Sequence, residues 1–151
     1  MLEHRIPPPA LAVIFAAAMW GLSKLAPGVA ASLAARVIVA VPVVLIGAAF
    51  SVAGMLSFRR AGTTINPLKP EAATSFVSSG IYRVTRNPMY VGLAICLLGW
   101  TIYLGSPWAL AGVAAFVLYI DRFQVRPEER ALATLFGPEY EAYKARVRRW
   151  L

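Results

Sequence analysis

Cysteine and histidine are almost missing from this chain of 151 residues, which has one of each, Cys96 and His4. A single cysteine excludes an internal disulfide and a cysteine-based metal cluster. A single histidine near the start leaves histidine acid–base chemistry, haem ligation and histidine-rich metal sites without material, so no metal is expected. Acidic residues are scarce too: seven against fifteen lysines and arginines, a formal charge of +8. Charged residues of both signs make up 15% of the chain and hydrophobic ones 59%, where soluble domains average about 25% and about 45–50%. The mean hydropathy of +0.64 agrees with an integral membrane protein. In a soluble chain the basic excess would point to nucleic acid. Here the charges flank long apolar runs, so they read as an orientation signal and no nucleic-acid partner is expected.

What the chain does have is apolar runs. Ile6 to Ser23 is uncharged and reads as a retained first helix over about 9–22 rather than a signal peptide, because further spans follow. It is short for a bilayer, which takes about 20 residues. Val37–Phe58, 22 uncharged residues between Arg36 and Arg59-Arg60, is the clearest span, over 37–58. Pro42 inside it predicts a kink. Gly47 and Gly54 share one face that would admit a neighbouring backbone closely. Residues 59–87 are polar and rich in turn formers, a long loop of a kind that is usually either functional or disordered. Asn87–Ile120 is uncharged for 34 residues and broken at Gly105-Ser106-Pro107, a helical hairpin with arms over 88–104 and 107–123. The second arm reaches bilayer length when Asp121 and Arg122 sit at the headgroups. In the charged tail, Pro127 starts one amphipathic helix, Gly137 stops it and Pro138 starts another, over 127–149.

The expected architecture is one all-α domain over 1–151, an integral membrane protein of about four transmembrane helices plus cytoplasmic amphipathic C-terminal helices. Thirteen of the fifteen basic residues fall in the N-terminus, the 59–87 loop and the tail, leaving Lys24 and Arg36 opposite. The positive-inside rule then puts both termini and the loop in the cytoplasm, in a membrane of the bacterial inner type.

Two polar clusters therefore meet at one membrane face. The first runs from Ser79 to Gly92 as SGIYRVTRNPMYVG, and the second from Glu128-Glu129 through Leu132 and Phe136-Gly137 to Tyr140 and Tyr143. The order G-x-Y-x-x-x-R-x-P-x-Y-x-G, a helical hairpin, then E-E-x-x-L-x-x-x-F-G-x-x-Y-x-x-Y resembles the isoprenylcysteine carboxyl methyltransferase family and its phospholipid N-methyltransferase relatives. The resemblance covers roughly Thr63 to Arg149. Both motifs in order, with a hairpin of the right size between, make it fairly specific.

The resemblance implies methyl transfer from S-adenosylmethionine to a lipophilic acceptor, without a Rossmann domain, in a cytoplasmic pocket under the C-terminal helices. Cofactor contacts would come from Thr74, Ser75, Phe76 and Val77, from Tyr82, from Asn87, Pro88, Met89 and Tyr90, and from Glu128, with Glu129 in support. Arg86, Arg122 or Arg126 would orient an anionic group of the acceptor. Two departures stand out. Asn87 occupies the family's histidine position, and an amide can copy one hydrogen bond but cannot titrate. Gln124 occupies the position of the arginine that holds the substrate carboxylate in eukaryotic members.

The chemistry needs little besides alignment, for which effective molarities are worth about 7–11 kcal/mol at best. A carboxylate nucleophile is already ionised, whereas an amine must lose a proton, with Glu128, Glu129 or a tyrosine assisting. O-, N- and S-methylation stay open, as does the oligomeric state. The alternatives are an NADPH-dependent enzyme like the membrane sterol reductases, and a non-enzymatic four-helix membrane module. Residue by residue, simpler roles compete. Asn87-Pro88 fits a helix N-cap, and Glu128-Glu129 fits a first helical turn. Arg83, Arg86, Arg148 and Arg149 fit contacts with anionic lipid. Trp100, Tyr103 and Tyr119 fit packing, and Cys96 an inert thiol.

Overall fold

The computed structural model describes residues 6–25, 27–62 and 76–151, and among these there is no strand. The helices are α1 (Pro8–Leu25), α2 (Leu33–Ala61), α3 (Pro88–Leu104), α4 (Leu110–Ile120) and α5 (Arg126–Arg146). Single 3-10 turns precede α3 and α4, at Gly80–Arg83 and Pro107–Ala109. Thr74 and Ser75, expected at the cofactor, lie outside the described residues, as do Thr63–Pro67 and His4.

The hydrophobic runs form helices, with longer ends than expected. α1 and α2 extend past 9–22 and 37–58, and α2 continues through Pro42 without a break. Ser32 caps α2, its hydroxyl accepting from the Ala35 N–H at 3.2 Å. Among the described residues, three helices are long and apolar enough to cross a bilayer: α1, α2 and the continuous helix Pro107–Arg146. The third expected span, α3, has 17 residues and so measures about 26 Å, just under a hydrocarbon core of about 30 Å.

α2 and α3 share the most extensive interface, and its basis is glycine. A Cβ on Gly47 would stand 2.6 Å from the Gly92 carbonyl oxygen, and one on Gly99 would stand 2.6 Å from a Val44 methyl. Only hydrogen lets these backbones approach so closely, which matches the expected role of Gly47 and Gly54 and extends it to Gly92 and Gly99. On the other side of α3, Leu11 and Met19 of α1 meet Leu97, Phe116 and Ile120 in the main core cluster.

Hydrogen bonds fix which helix ends lie together. Val29 N–H donates to the Gly105 carbonyl at 2.7 Å, and Arg36 donates to the Tyr103 and Leu104 carbonyls at the end of α3. At the opposite end, Gln124 Nε2 donates to the Ile6 carbonyl at 3.0 Å. The start of α1, the Gly80–Arg83 turn, the start of α3 and all of α5 therefore gather at one end of the bundle.

The largest departure is that the fourth span and the tail are one helix. The apolar stretch ends at Ile120, but the chain winds on through a wide π turn, Asp121–Val125, into α5. Arg126 N–H donates to the carbonyl of Asp121, five residues back. Pro127 explains this locally: it has no N–H, and its ring would clash with the carbonyl four residues back in a regular helix. Gly137 and Pro138 break the helix direction as expected, with Gly137 at φ 50°, ψ −127°. A residue before proline avoids the helical region, and here only glycine accepts the positive φ without strain.

Candidate active site

Tyr90 sits in the first turn of α3 and Glu128 in the first half of α5, 38 residues apart, and the fold joins them. The Tyr90 hydroxyl donates to Glu128 Oε2 at 3.0 Å. Tyr82, from the 3-10 turn, packs edge-on against Phe58 of α2 with ring centroids 5.5 Å apart, and its carbonyl accepts from the Tyr143 hydroxyl at 2.7 Å. Phe76 meets Phe136, Tyr140 and Tyr143 at 5.3, 5.6 and 5.5 Å, and Val77 is buried beside it. The loop, the start of α3 and both halves of α5 thus surround one aromatic region with the Glu128 carboxylate at its edge.

That carboxylate is unusual. Glu128 has no cationic partner among the described residues. Burial pushes its pKa up to about 7; the Tyr90 hydrogen bond pulls it down and the neighbouring Glu129 charge pushes it up. Glu129 behaves in the opposite way. Burial alone would raise it, but hydrogen bonds from Arg149 and Arg86 outweigh that and hold it below the usual carboxylate range. Burial also raises the phenols of Tyr82 and Tyr140, and takes Tyr143 to about 12. The two adjacent glutamates therefore have separate tasks, one unpaired beside aromatic rings and one locked between guanidinium groups.

The lock is an ion-pair chain. Arg86 NH2 and Arg149 NH2 reach Glu129 at 2.7 and 2.6 Å. Arg149 NH1 continues to Asp121 at 3.1 Å, and Arg126 Nε reaches the same carboxylate at 2.7 Å. Arg86 NH1 also donates to the Lys144 and Val147 carbonyls at 3.0 and 2.7 Å, capping the end of α5. Past that cap the tail runs back along the start of α3. Arg86 N–H donates to the Arg148 carbonyl, and Thr85 Oγ1 and Asn87 Nδ2 both donate to the Arg149 carbonyl at 3.1 and 2.9 Å.

Several expectations change here. Asn87 stands before Pro88 and α3, yet its side chain makes no helix cap; its Nδ2 donates instead to the Arg149 carbonyl. Glu128-Glu129 do not occupy a free helix start, since the helix runs into them from α4. Arg149 does not merely face lipid; it bridges Asp121 and Glu129. Arg86, expected at the acceptor, is tied to Glu129 and the end of α5. Arg122 is exposed and lies over the Phe123 ring at 5.8 Å. Met89 packs at Gly54 and Pro88 is buried. Gln124 is fully buried and holds the Ile6 carbonyl. Trp100, Tyr103 and Tyr119 pack as expected: Trp100 stacks on Tyr103 and donates to the Ala16 carbonyl, and Tyr119 meets Phe15 and Phe123. Cys96 lies against the Val44 carbonyl.

Sequence reasoning missed Asp121 and Thr85 as members of this network. The one available signal was Asp121 itself, an acid placed directly after an uncharged run and five residues before Arg126.

Residues 35–139 match the family model described as phospholipid methyltransferase. The chain belongs to the phospholipid methyltransferase family. Among its relatives, a probable protein-S-isoprenylcysteine O-methyltransferase of Oryza sativa subsp. indica is 30% identical over 107 residues, covering 69% of this chain and 54% of that one. The protein-S-isoprenylcysteine O-methyltransferase of Homo sapiens is 36% identical over 73 residues, 48% of this chain and 26% of the human one. An uncharacterized protein of Haemophilus influenzae is 49% identical over 63 residues, 42% of this chain and the whole of the relative. This family member spans about half the length of the rice protein it matches. No solved structure is significantly similar to it. The family match gives no support to the NADPH-dependent alternative.

Proposed function

We propose that this family member is a membrane methyltransferase that uses S-adenosylmethionine and acts on a lipophilic acceptor at the cytoplasmic face. The observation that carries the proposal is Glu128, a packed-in carboxylate without a cation among the described residues, hydrogen-bonded by Tyr90 and bordered by aromatic rings. Such a group calls for a ligand that brings hydrogen-bond donors or positive charge. A sulfonium nucleoside offers a cation for the rings, donors for the carboxylate and a planar base to stack. The residues present therefore fit the cofactor that the family implies.

When bound, S-adenosylmethionine supplies an electrophilic methyl group on sulfur. Tyr82, Asn87, Pro88, Met89, Tyr90 and Glu128 would hold it, together with Phe76 and Val77, and with Thr74 and Ser75 by resemblance. Glu129 and Arg86 hold α5 against the start of α3, so that Glu128 keeps its position. Among the arginines expected to orient an acceptor anion, Arg122 is the one not committed to the ion-pair chain. With an amine acceptor, the raised pKa of Glu128 makes it a competent proton acceptor near neutral pH. The acceptor enters laterally from the bilayer and the polar cofactor from the cytoplasm. The basic residues gathered with the site support that orientation.

Calorimetry with S-adenosylhomocysteine on detergent-purified protein tests the proposal. Binding is expected, with a loss of at least about tenfold on Glu128→Ala; no binding, or equal binding by the variant, counts against it. Incubation with radiolabelled cofactor and native lipid extract then identifies the acceptor.

A further inference from the structure

α5 has two sides, and the site described above uses one of them. Glu128, Leu132 and Phe136 follow each other at helical spacing on the side of Tyr90 and Phe76. Arg126, Arg130 and Ala133 lie on another stripe, roughly opposite Glu128, with Glu129 at its edge. There they line an open pocket of about 300 Å³, bordered by Lys144 from beyond the Gly137 break and by Arg149 from the tail.

Its walls are cationic and preset. Four of the six lining residues are basic, and the one acid, Glu129, is already engaged by Arg86 and Arg149. Arg126 meets Asp121 through Nε, leaving the two terminal nitrogens of its fork without a protein acceptor among the described residues. Lys144 is paired with Glu141, an exposed partner, and lies over the Tyr140 ring at 5.6 Å. Such a fork matches an oxyanion with several acceptor oxygens.

The depth is informative. The apolar helix ends at Ile120, and Arg126 lies six residues further, about 9 Å along the axis. Lipid headgroups occupy a layer of about 5–8 Å outside the hydrocarbon on each side. The cavity therefore sits at the outer edge of the headgroup layer, where long basic side chains reach back to the phosphates, just past a helix end whose Leu118 is exposed.

We propose that this pocket binds the phosphate of an anionic membrane phospholipid, clamping α5 to the membrane from the side opposite Glu128. The proposal does not depend on methyl transfer. Basic pockets at this level attract anionic headgroups by roughly fivefold per nearby cation.

Native mass spectrometry of protein released from nanodiscs of equal phosphatidylglycerol and phosphatidylcholine tests it. The wild type should retain phosphatidylglycerol preferentially. Ala133→Glu, which places a carboxylate among the cations, and Lys144→Glu should each lower that retention at least about fivefold. Both should keep the wild-type melting temperature, which separates a lost site from a lost fold. Retention unchanged in both variants overturns the proposal, because the lipid is then held by other basic residues. Displacement of the lipid by inorganic phosphate at equal concentration also overturns it, since the pocket would then take a soluble anion.

Discussion

Glu128 and Glu129 are adjacent in sequence and opposite in chemistry. A carboxylate near 7 when folded and 4.5 when unfolded binds its extra proton in the native state throughout that interval. Stability therefore falls as pH rises from about 4.5 to 7, by at most about 3 kcal/mol. Glu128→Gln removes this contribution. Melting temperatures measured at about pH 5 and about pH 8 should drop more in the wild type than in the variant, and identical drops would contradict the assignment. Tyr90→Phe deletes the hydrogen bond that favours the charged form, so the wild-type transition should move to higher pH. Glu129 carries the opposite sign. Its depressed pKa gives stability that is full above the unfolded value and is lost as pH falls through the folded value.

At the scale of the elements, the α2–α3 interface rests on missing side chains. A Cβ on Gly92 would run into the Ser51 hydroxyl and stand 2.5 Å from the Gly47 carbonyl oxygen. Neither backbone can yield without moving a helix, so Gly92→Val is expected to destabilise by about 1–3 kcal/mol or more, read as a lower denaturation midpoint in detergent. Gly62 has open space around it, but its φ of 64° at the end of α2 makes Gly62→Ala a small backbone penalty only. The π turn is the second element-scale feature. It lets one helix leave the membrane, pass Pro127 and still present Glu128 toward Tyr90. Pro127→Ala would restore a backbone donor and permit a regular turn, rotating the following residues, and S-adenosylhomocysteine affinity should fall with it.

Across the whole molecule, the last five residues behave as a strap rather than a fraying end. Their carbonyls accept from Arg86, Thr85 and Asn87, and Trp150 packs against the main core. Truncation after Arg146 should lower the melting temperature and weaken S-adenosylhomocysteine binding together, because it leaves Glu129 with one guanidinium and Asn87 without its acceptor. A truncated protein with unchanged cofactor affinity would show that the strap matters to stability alone.

The apolar runs, the hairpin at Gly105-Ser106-Pro107, the small-residue face of α2 and the break at Gly137 were legible because each depends on local periodicity or backbone stereochemistry. The meeting of loop and tail at one membrane face was legible in the charge pattern, and the grouping of Tyr82, Tyr90 and Glu128 through the family resemblance of two motifs. The residues alone did not show which hydrogen bond Asn87 makes, that Glu128-Glu129 lie inside a helix, or that Arg149 links Asp121 to Glu129. Those depend on partners 20 to 62 residues away, and on a helix that widens by one residue instead of ending. Local pattern determined the elements, while the sharing of charge between two neighbouring glutamates was decided only when α3, α5 and the tail packed together. An ionised group's task is set by what is brought near it, and that is a property of three dimensions.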